Sequence, residues 1–240
     1  QVDFDEMLSR LRQYKEEEVA SMSLGGQEIS SLVVKELRSL ESISEQSATP
    51  LVTPFVGTAK DRVAIPRVKM NELEPGERIK SLYAEVNQGL TFDQAVTEAH
   101  RCLNCKKPTC VEGCPVNINI PGFIKQLEIG NVLGAAQIIS ESSTLPAVCG
   151  RVCPQEKQCE AQCIHLKMGK EAVAIGYLER FVADNAPKAP VSEFQSFNVL
   201  GSKVGKKVAV VGSGPAGLAF AGDMAKYGYD VTVFEALHEI

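Results

Sequence analysis

Residues 101–115 read RCLNCKKPTCVEGCP, and residues 148–163 read VCGRVCPQEKQCEAQC. All eight cysteines of the 240-residue chain fall between Cys102 and Cys163. The first group has the spacing C-x2-C-x4-C-x3-C-P, made by Cys102, Cys105, Cys110, Cys114 and Pro115. The second has the spacing C-x3-C-P-x4-C-x3-C, made by Cys149, Cys153, Pro154, Cys159 and Cys163. A secreted domain stapled by disulfides spreads its cysteines along the length it must staple. Local crowding, in a chain with no visible secretion signal, fits reduced thiolates on a metal instead. Structural zinc favours two C-x2-C pairs separated by a longer loop, and only one such pair exists here. Short loops carrying three thiolates, followed by Cys-Pro, are how chains wrap cubane iron–sulfur clusters. Eight soft thiolates nearly fill two [4Fe–4S] sites.

The ligands divide by the same logic. In two-cluster ferredoxins the cysteine before proline crosses to the other cluster. Cys102, Cys105 and Cys110 then form one site, completed by Cys163. Cys114, Cys153 and Cys159 form the second, whose fourth ligand is open on spacing alone, with Cys149 as the thiol candidate. His100 and His165 flank the two groups. Imidazole ligands to such clusters are unusual, so both read as ordinary residues near the metal or on the surface.

A second motif lies near the end of the chain. Residues 206–217 read KKVAVVGSGPAG, a short apolar β-run followed by G-x-G-x-x-G. The motif comprises Gly212, Ser213, Gly214, Pro215, Ala216 and Gly217, and it opens the helical stretch LAFAGDMAKYG. A second strand, YDVTVFEA, ends near Glu235. Gly212 permits the tight turn, Gly214 lets the backbone approach a pyrophosphate, and Gly217 allows close helix–strand packing. The helix N-terminus stabilises the anion, and Glu235 would accept hydrogen bonds from a ribose hydroxyl. The GPAG turn favours FAD over NAD. A dinucleotide fold needs more strands than residues 206–240 supply, and the first residue is Gln1 rather than Met. The chain therefore reads as a fragment of a longer protein.

The remaining sequence frames these motifs. Net charge is −5 and the pI is about 5.4, which argues against a nucleic-acid partner. No apolar run approaches the ~18 residues that span a bilayer, so the expected location is cytoplasmic and no membrane partner is expected. Residues 1–45 carry Phe4, Met7, Leu8 and Leu11 at helical spacing and read as an amphipathic hairpin. Residues 46–76, rich in Pro, Thr and Gly, read as an extended linker. TFDQAVTEAHRCL (91–103) reads as a helix with a capping box from Thr91 and Gln94. IPGFIKQLEIGN starts another helix with Pro121 in its first turn, and Asn131 caps a third over about 132–141. Leu145-Pro146 reads as a break, residues 171–186 as helical in their second half, and NAPKAPVSEF as a linker. The expected organisation is an N-terminal extension (1–60), an all-α iron–sulfur domain (61–190), a linker (191–205), and the first β-α-β unit of an α/β FAD-binding Rossmann-type domain (206–240).

RCLNC, PTCVEGCPVNINIPGFI, LPAVCGRVCPQEKQCEAQC, AIGYLERFVAD and VAVVGSGPAGLAFA, in this order, resemble the small (β) chain of NADPH-dependent glutamate synthase and its homologues. The resemblance runs from about Val63 to Glu235. The same module is similar to the N-terminal part of dihydropyrimidine dehydrogenase and to the large subunit of NADH-dependent ferredoxin:NADP oxidoreductase. The resemblance implies two [4Fe–4S] clusters in a helical domain, followed by an FAD domain and an NAD(P)H domain. It implies that NADPH reduces FAD and that electrons pass singly through the clusters to a partner. In glutamate synthase that partner is the large subunit, which makes glutamate from glutamine and 2-oxoglutarate. Other acceptors, a flavoprotein or a ferredoxin, correspond to a bifurcating transhydrogenase subunit or to a non-catalytic electron-transfer module. The resemblance also bears on the open ligand. Relatives supply a Gln or Glu side chain from an I-G-x-L-x-x-F segment, here Ile175 to Phe181, and Glu179 falls on that position. Composition alone would make Glu179 a surface helix glutamate. No catalytic residue is expected within residues 1–240, and the fragment alone is expected to be inactive.

Overall fold

The computed structural model describes residues 52, 55–186 and 205–237. The chain divides into two compact units, Gln1–Thr49 and Pro50–Ile240, and the described residues all lie in the second. The hairpin expected over 1–45 and most of the linker expected over 191–205 lie outside the described residues.

Short helices dominate the cysteine-bearing part. α1 (Ala59–Ala64) opens on a capping box from Thr58 and Asp61. β1 (Asn71–Glu72), α2 (Pro75–Arg78) and β2 (Asn87–Gly89) follow, the two strands pairing antiparallel. This small ribbon departs from the all-α expectation. α3 (Phe92–Ala99) starts with the expected capping box: Gln94 N–H donates to the Thr91 hydroxyl, and the Gln94 side chain accepts from Thr91 N–H at 2.8 Å. Removing that cap in Thr91→Ala is expected to cost about 1 kcal/mol, read as a fall in the thermal midpoint. α4 (Thr109–Glu112) is a single turn between cysteines. α5 (Ile120–Glu128) carries Pro121 in its first turn and is capped by Asn119. Asn131 caps α6 (Val132–Ser142) through Gly134 N–H at 2.9 Å. Pro146 begins α7 (Pro146–Val152) rather than simply breaking the chain, because proline is already set for a first helical turn. Two 3-10 turns and α8 (Ile164–Lys167) lead to α9 (Ile175–Asn185).

The core lies where α3, α5, α6 and α9 meet. Phe123, Ile124 and Leu127 from α5 pack with Ile139 from α6, Leu178, Phe181 and Val182 from α9, and Ala95 and Ala99 from α3. Burying each large apolar side chain contributes roughly 1.5–3 kcal/mol. Cys159 and Cys163 are buried in the same cluster, so the second cysteine stretch is part of the core.

The described part of the linker expected over 46–76, from residue 55 onward, is docked instead. Arg62 donates to the carbonyl of His100 at 2.8 Å and pairs with Glu128 at 2.6 Å. Arg67 donates to the Ala172 carbonyl and pairs with Glu160, both at 2.9 Å. Val68 N–H donates to buried Glu98 at 2.7 Å. The polar composition that suggests a linker supplies the groups that tie this segment down.

β3 (Lys207–Val211), α10 (Pro215–Lys226) and β4 (Asp230–Phe234) form a β-α-β unit. The strands pair parallel, from Lys207 opposite Asp230 to Val211 opposite Phe234. A helical crossover is what a parallel pair requires.

Candidate metal centres and nucleotide-binding turn

The two cysteine stretches are laced together. Thr109 Oγ1 donates to the Gln162 carbonyl at 2.6 Å. A Cβ on Gly113 would lie 2.8 Å from the Gln158 carbonyl oxygen, so only glycine permits this approach. The lacing sets Cys110 and Cys114, on either side of Gly113, against the stretch that carries Cys159 and Cys163.

Cys102, Cys105, Cys110 and Cys163 line one cavity, together with Ile120, Ile124 and His165. Cys102 and Cys105 arrive just past the end of α3, through a turn in which Asn104 takes a left-handed φ of 47°, a conformation asparagine tolerates. Burial pushes the Cys102 thiol up to about 11 and the Cys110 thiol to about 12, and the neighbouring cysteines add to both. Cys105 is raised for the same first reason. Three thiols that resist ionisation in one dry site are stabilised as thiolates by a cation.

A second set gathers around α7 and α9. Burial raises Cys153 to about 11, with Cys149 the next influence, and raises Cys159 to about 12, with Glu160 next. Both also feel Cys114 and Glu179. Glu179 is 7% exposed, and its Oε1 has no hydrogen-bond partner. Burial alone lifts its carboxyl to about 7. A surface glutamate is thereby ruled out, and an orphaned buried carboxylate oxygen demands a partner. Cys149 is half-buried and sits one helical turn before Cys153, whose N–H donates to its carbonyl at 3.1 Å. All eight cysteines are free thiols.

Among the described residues, no three His, Cys, Asp or Glu side chains close on a single ion position. A tetrahedral zinc ion needs four donors within about 2.3 Å of one point, whereas a cubane spreads its ligands over four corners. The donor set, eight buried or half-buried thiols and one unpartnered carboxylate in two groups, fits two clusters.

His165 is fully buried and lines the cavity of the first cysteine group, so of the two expected placements it takes the one beside the cysteines rather than the surface. Its Nε2 lies 3.0 Å from the Arg101 carbonyl. The carbonyl accepts, so Nε2 carries the proton, and Nδ1 has no partner. Burial lowers its pKa. His100 is half-buried, stacks obliquely on Phe55 at 5.1 Å and is likewise lowered by burial.

Supporting residues around both groups carry no motif. Arg101 and Glu98 form a buried ion pair immediately before Cys102. Glu160, beside Cys159, pairs with Arg67 and accepts from Gly176 N–H at 3.3 Å. A Cβ on Gly150 would lie 2.7 Å from Arg180 N, so α7 and α9 touch backbone to backbone next to Glu179.

The glycine-rich turn has the shape its motif requires. Gly212 has a φ of +96°, a left-handed value that disfavours other residues. A Cβ on Gly217 would collide with the Gly212 carbonyl oxygen, while one on Gly214 would meet only open space. Gly214 is the N-cap of α10 and Pro215 lies in its first turn, leaving the amide end of the helix free to face a phosphate. Glu235 reaches the turn itself: its Oε2 accepts from the Ser213 hydroxyl at 2.6 Å and from Ser213 N–H at 2.8 Å, and its Oε1 accepts from Leu237 N–H at 2.9 Å. These bonds, the Ser213 hydroxyl first, draw its carboxyl down to about 2. Acceptor capacity remains on the ionised carboxylate. No described helix is long and apolar enough to cross a membrane.

Residues 78–191 match the family model described as dihydropyrimidine dehydrogenase domain II, 4Fe-4S cluster, and residues 210–240 match an NAD(P)-binding Rossmann-like domain. The glutamate synthase [NADPH] small chain of Halomonas elongata is 37% identical over 172 residues, covering 70% of this chain and 35% of the relative. That of Escherichia coli is 39% identical over 160 residues, covering 66% and 33%. The NAD-dependent dihydropyrimidine dehydrogenase subunit PreT of Escherichia coli is 39% identical over 152 residues, covering 63% and 35%. The homologues are the family that the motifs resemble, and they are oxidoreductases. The chain spans about a third of the length of these curated relatives.

Proposed function

We propose that residues 61–190 hold two [4Fe–4S] clusters and that residues 206–240 open the FAD-binding domain of a longer NAD(P)H-dependent oxidoreductase. The first cluster sits on Cys102, Cys105, Cys110 and Cys163. The second sits on Cys114, Cys153, Cys159 and Glu179. The reading is carried by one observation: the two cysteine stretches interlock so that the thiols part into two groups, the second of which contains a buried carboxylate oxygen without a partner. When bound, such clusters carry single electrons between a flavin and an acceptor. The chain's own residues hold them apart from water. Ile120 and Ile124 wall the first group, and Gly212, Gly214 and the start of α10 offer the nucleotide its phosphate cradle. The parallel pair leaves Val211 88% exposed, and parallel sheets are covered on both faces, which supports a further covering layer in the longer protein.

The full protein on this reading is the small chain of a glutamate synthase, passing electrons from NADPH to a large subunit in the cytoplasm. A second reading rests on the PreT relative, which is 39% identical over 152 residues against 39% over 160 for the Escherichia coli glutamate synthase chain. The partner then belongs to a dihydropyrimidine dehydrogenase. Reconstitution of the full-length protein with each kind of subunit separates the two by which one turns over.

Anaerobic preparations are expected to hold about eight irons per chain. Cys110→Ser and Cys163→Ser are each expected to erase the same EPR signal, and Cys114→Ser and Cys153→Ser the other. If Cys163→Ser instead erases the signal lost in Cys114→Ser, the partition is wrong. A colourless protein loaded with zinc ends the reading altogether.

A further inference from the structure

The second centre has one donor more than a cubane needs. Cys114, Cys153, Cys159 and Glu179 make four, and Cys149 remains. Residues one turn apart on a helix share a face, so Cys149 stands beside Cys153 on α7. Gln155 holds the Cys149 carbonyl at 3.2 Å and the Gly150 carbonyl at 3.3 Å, fixing this turn of α7. The backbone contact at Gly150 seats the same turn against α9 next to Glu179. The spare thiol is unpaired and half-buried rather than solvated.

We infer that Cys149 is a reserve ligand of the second cluster, able to complete it when Glu179 does not. The inference rests on the ligand assignment proposed above. Thiolate is the softer donor and suits iron–sulfur centres at least as well as carboxylate. In the exchange an iron–oxygen bond to Glu179 breaks and an iron–sulfur bond to Cys149 forms. The thiol proton would pass to the displaced carboxylate, or to solvent where position 179 carries no carboxylate, and no electron changes hands. The centre thus survives loss of its oxygen ligand without losing an iron.

The test uses anaerobically purified full-length protein and three variants: Glu179→Ala, Cys149→Ser and the double variant. The readouts are iron per chain and the EPR spectrum of each reduced cluster. The first cluster, whose four cysteines are untouched, reports that each variant is folded. Glu179→Ala is expected to keep about eight irons with a changed signal from the second cluster. Cys149→Ser is expected to keep about eight with the wild-type signal. The double variant is expected to keep only about four. If Glu179→Ala alone drops to about four, Glu179 is the ligand but Cys149 does not replace it, and the inference fails while the assignment stands. If Cys149→Ser alone drops to about four, Cys149 is the primary ligand and the assignment itself fails. A double variant that keeps about eight overturns the inference.

Discussion

Arg101→Met is expected to destabilise the cysteine domain by about 3–5 kcal/mol, the cost of breaking one partner out of a buried ion pair. Arg101 is 1% exposed and Glu98 0%. The guanidinium donates to Glu98 at 2.5 Å, to the carbonyls of Glu171 and Ala172 at 2.6 and 2.8 Å, and to that of Ile65 at 3.1 Å. Glu98 in turn accepts from Val68 N–H at 2.7 Å and Ala174 N–H at 2.8 Å. One pair therefore ties the 65–68 segment, the entry to Cys102 and the run into α9. Methionine fills much of the volume but leaves a buried carboxylate without its counter-ion, strips the Ile65 and Glu171 carbonyls of this donor, and leaves the Ala172 carbonyl to Arg67 alone. Arg101→Lys keeps the charge but not the planar fork, so its loss should fall between wild type and Arg101→Met. The measurement is the urea midpoint of the helical signal at unchanged slope. A shift in Arg101→Met worth less than about 1 kcal/mol would show that the pair contributes no more than an exposed one.

The parts of this fold legible in the sequence are those set by neighbours along the chain. Thr91 with Gln94, Asn119 with Pro121, and Asn131 each satisfy helix-end groups a few residues away, so their helices begin where the caps say. Gly212, Gly214 and Gly217 are fixed by one turn and are equally readable. The cysteine pattern announces its metal class, because thiolate spacing is itself local. What the sequence conceals is set by contacts across the fold. Glu98 and Arg101 look like an i,i+3 pair on a solvated face, and only the arrival of residues 65–68 and 171–174 buries them. Glu179, between Leu178 and Arg180, and His165, between Ile164 and Leu166, carry no local sign of which face they occupy and are buried by elements far from them in sequence. Residues 59–68 lack any periodicity because their arginines, not an apolar stripe, attach them to the domain.

Gly150→Val, made in a Cys149→Ser background so that no reserve thiol can complete the centre, is expected to remove the second cluster while sparing the first. A Cβ at this position would stand 2.7 Å from Arg180 N and 2.8 Å from Arg180 Cα. Both atoms are backbone within α9, so no rotamer change relieves the overlap, and α7 must move away. Overpacking of this kind costs roughly 1–3 kcal/mol, but the larger consequence is geometric. Cys153 travels with α7, whereas Glu179 stays on α9, so the donors of one centre separate. Cys102, Cys105, Cys110 and Cys163 lie on other elements and keep their cavity. Iron should fall from about eight to about four per chain, with the first cluster's EPR signal retained. Gly76→Ala is the matched control, because a Cβ there meets nothing within 4 Å, and it should leave both iron content and the unfolding midpoint unchanged. Full iron content in the Cys149→Ser, Gly150→Val double variant would mean that α7 can shift without disturbing the centre, and the close packing of α7 on α9 would then not be what assembles it.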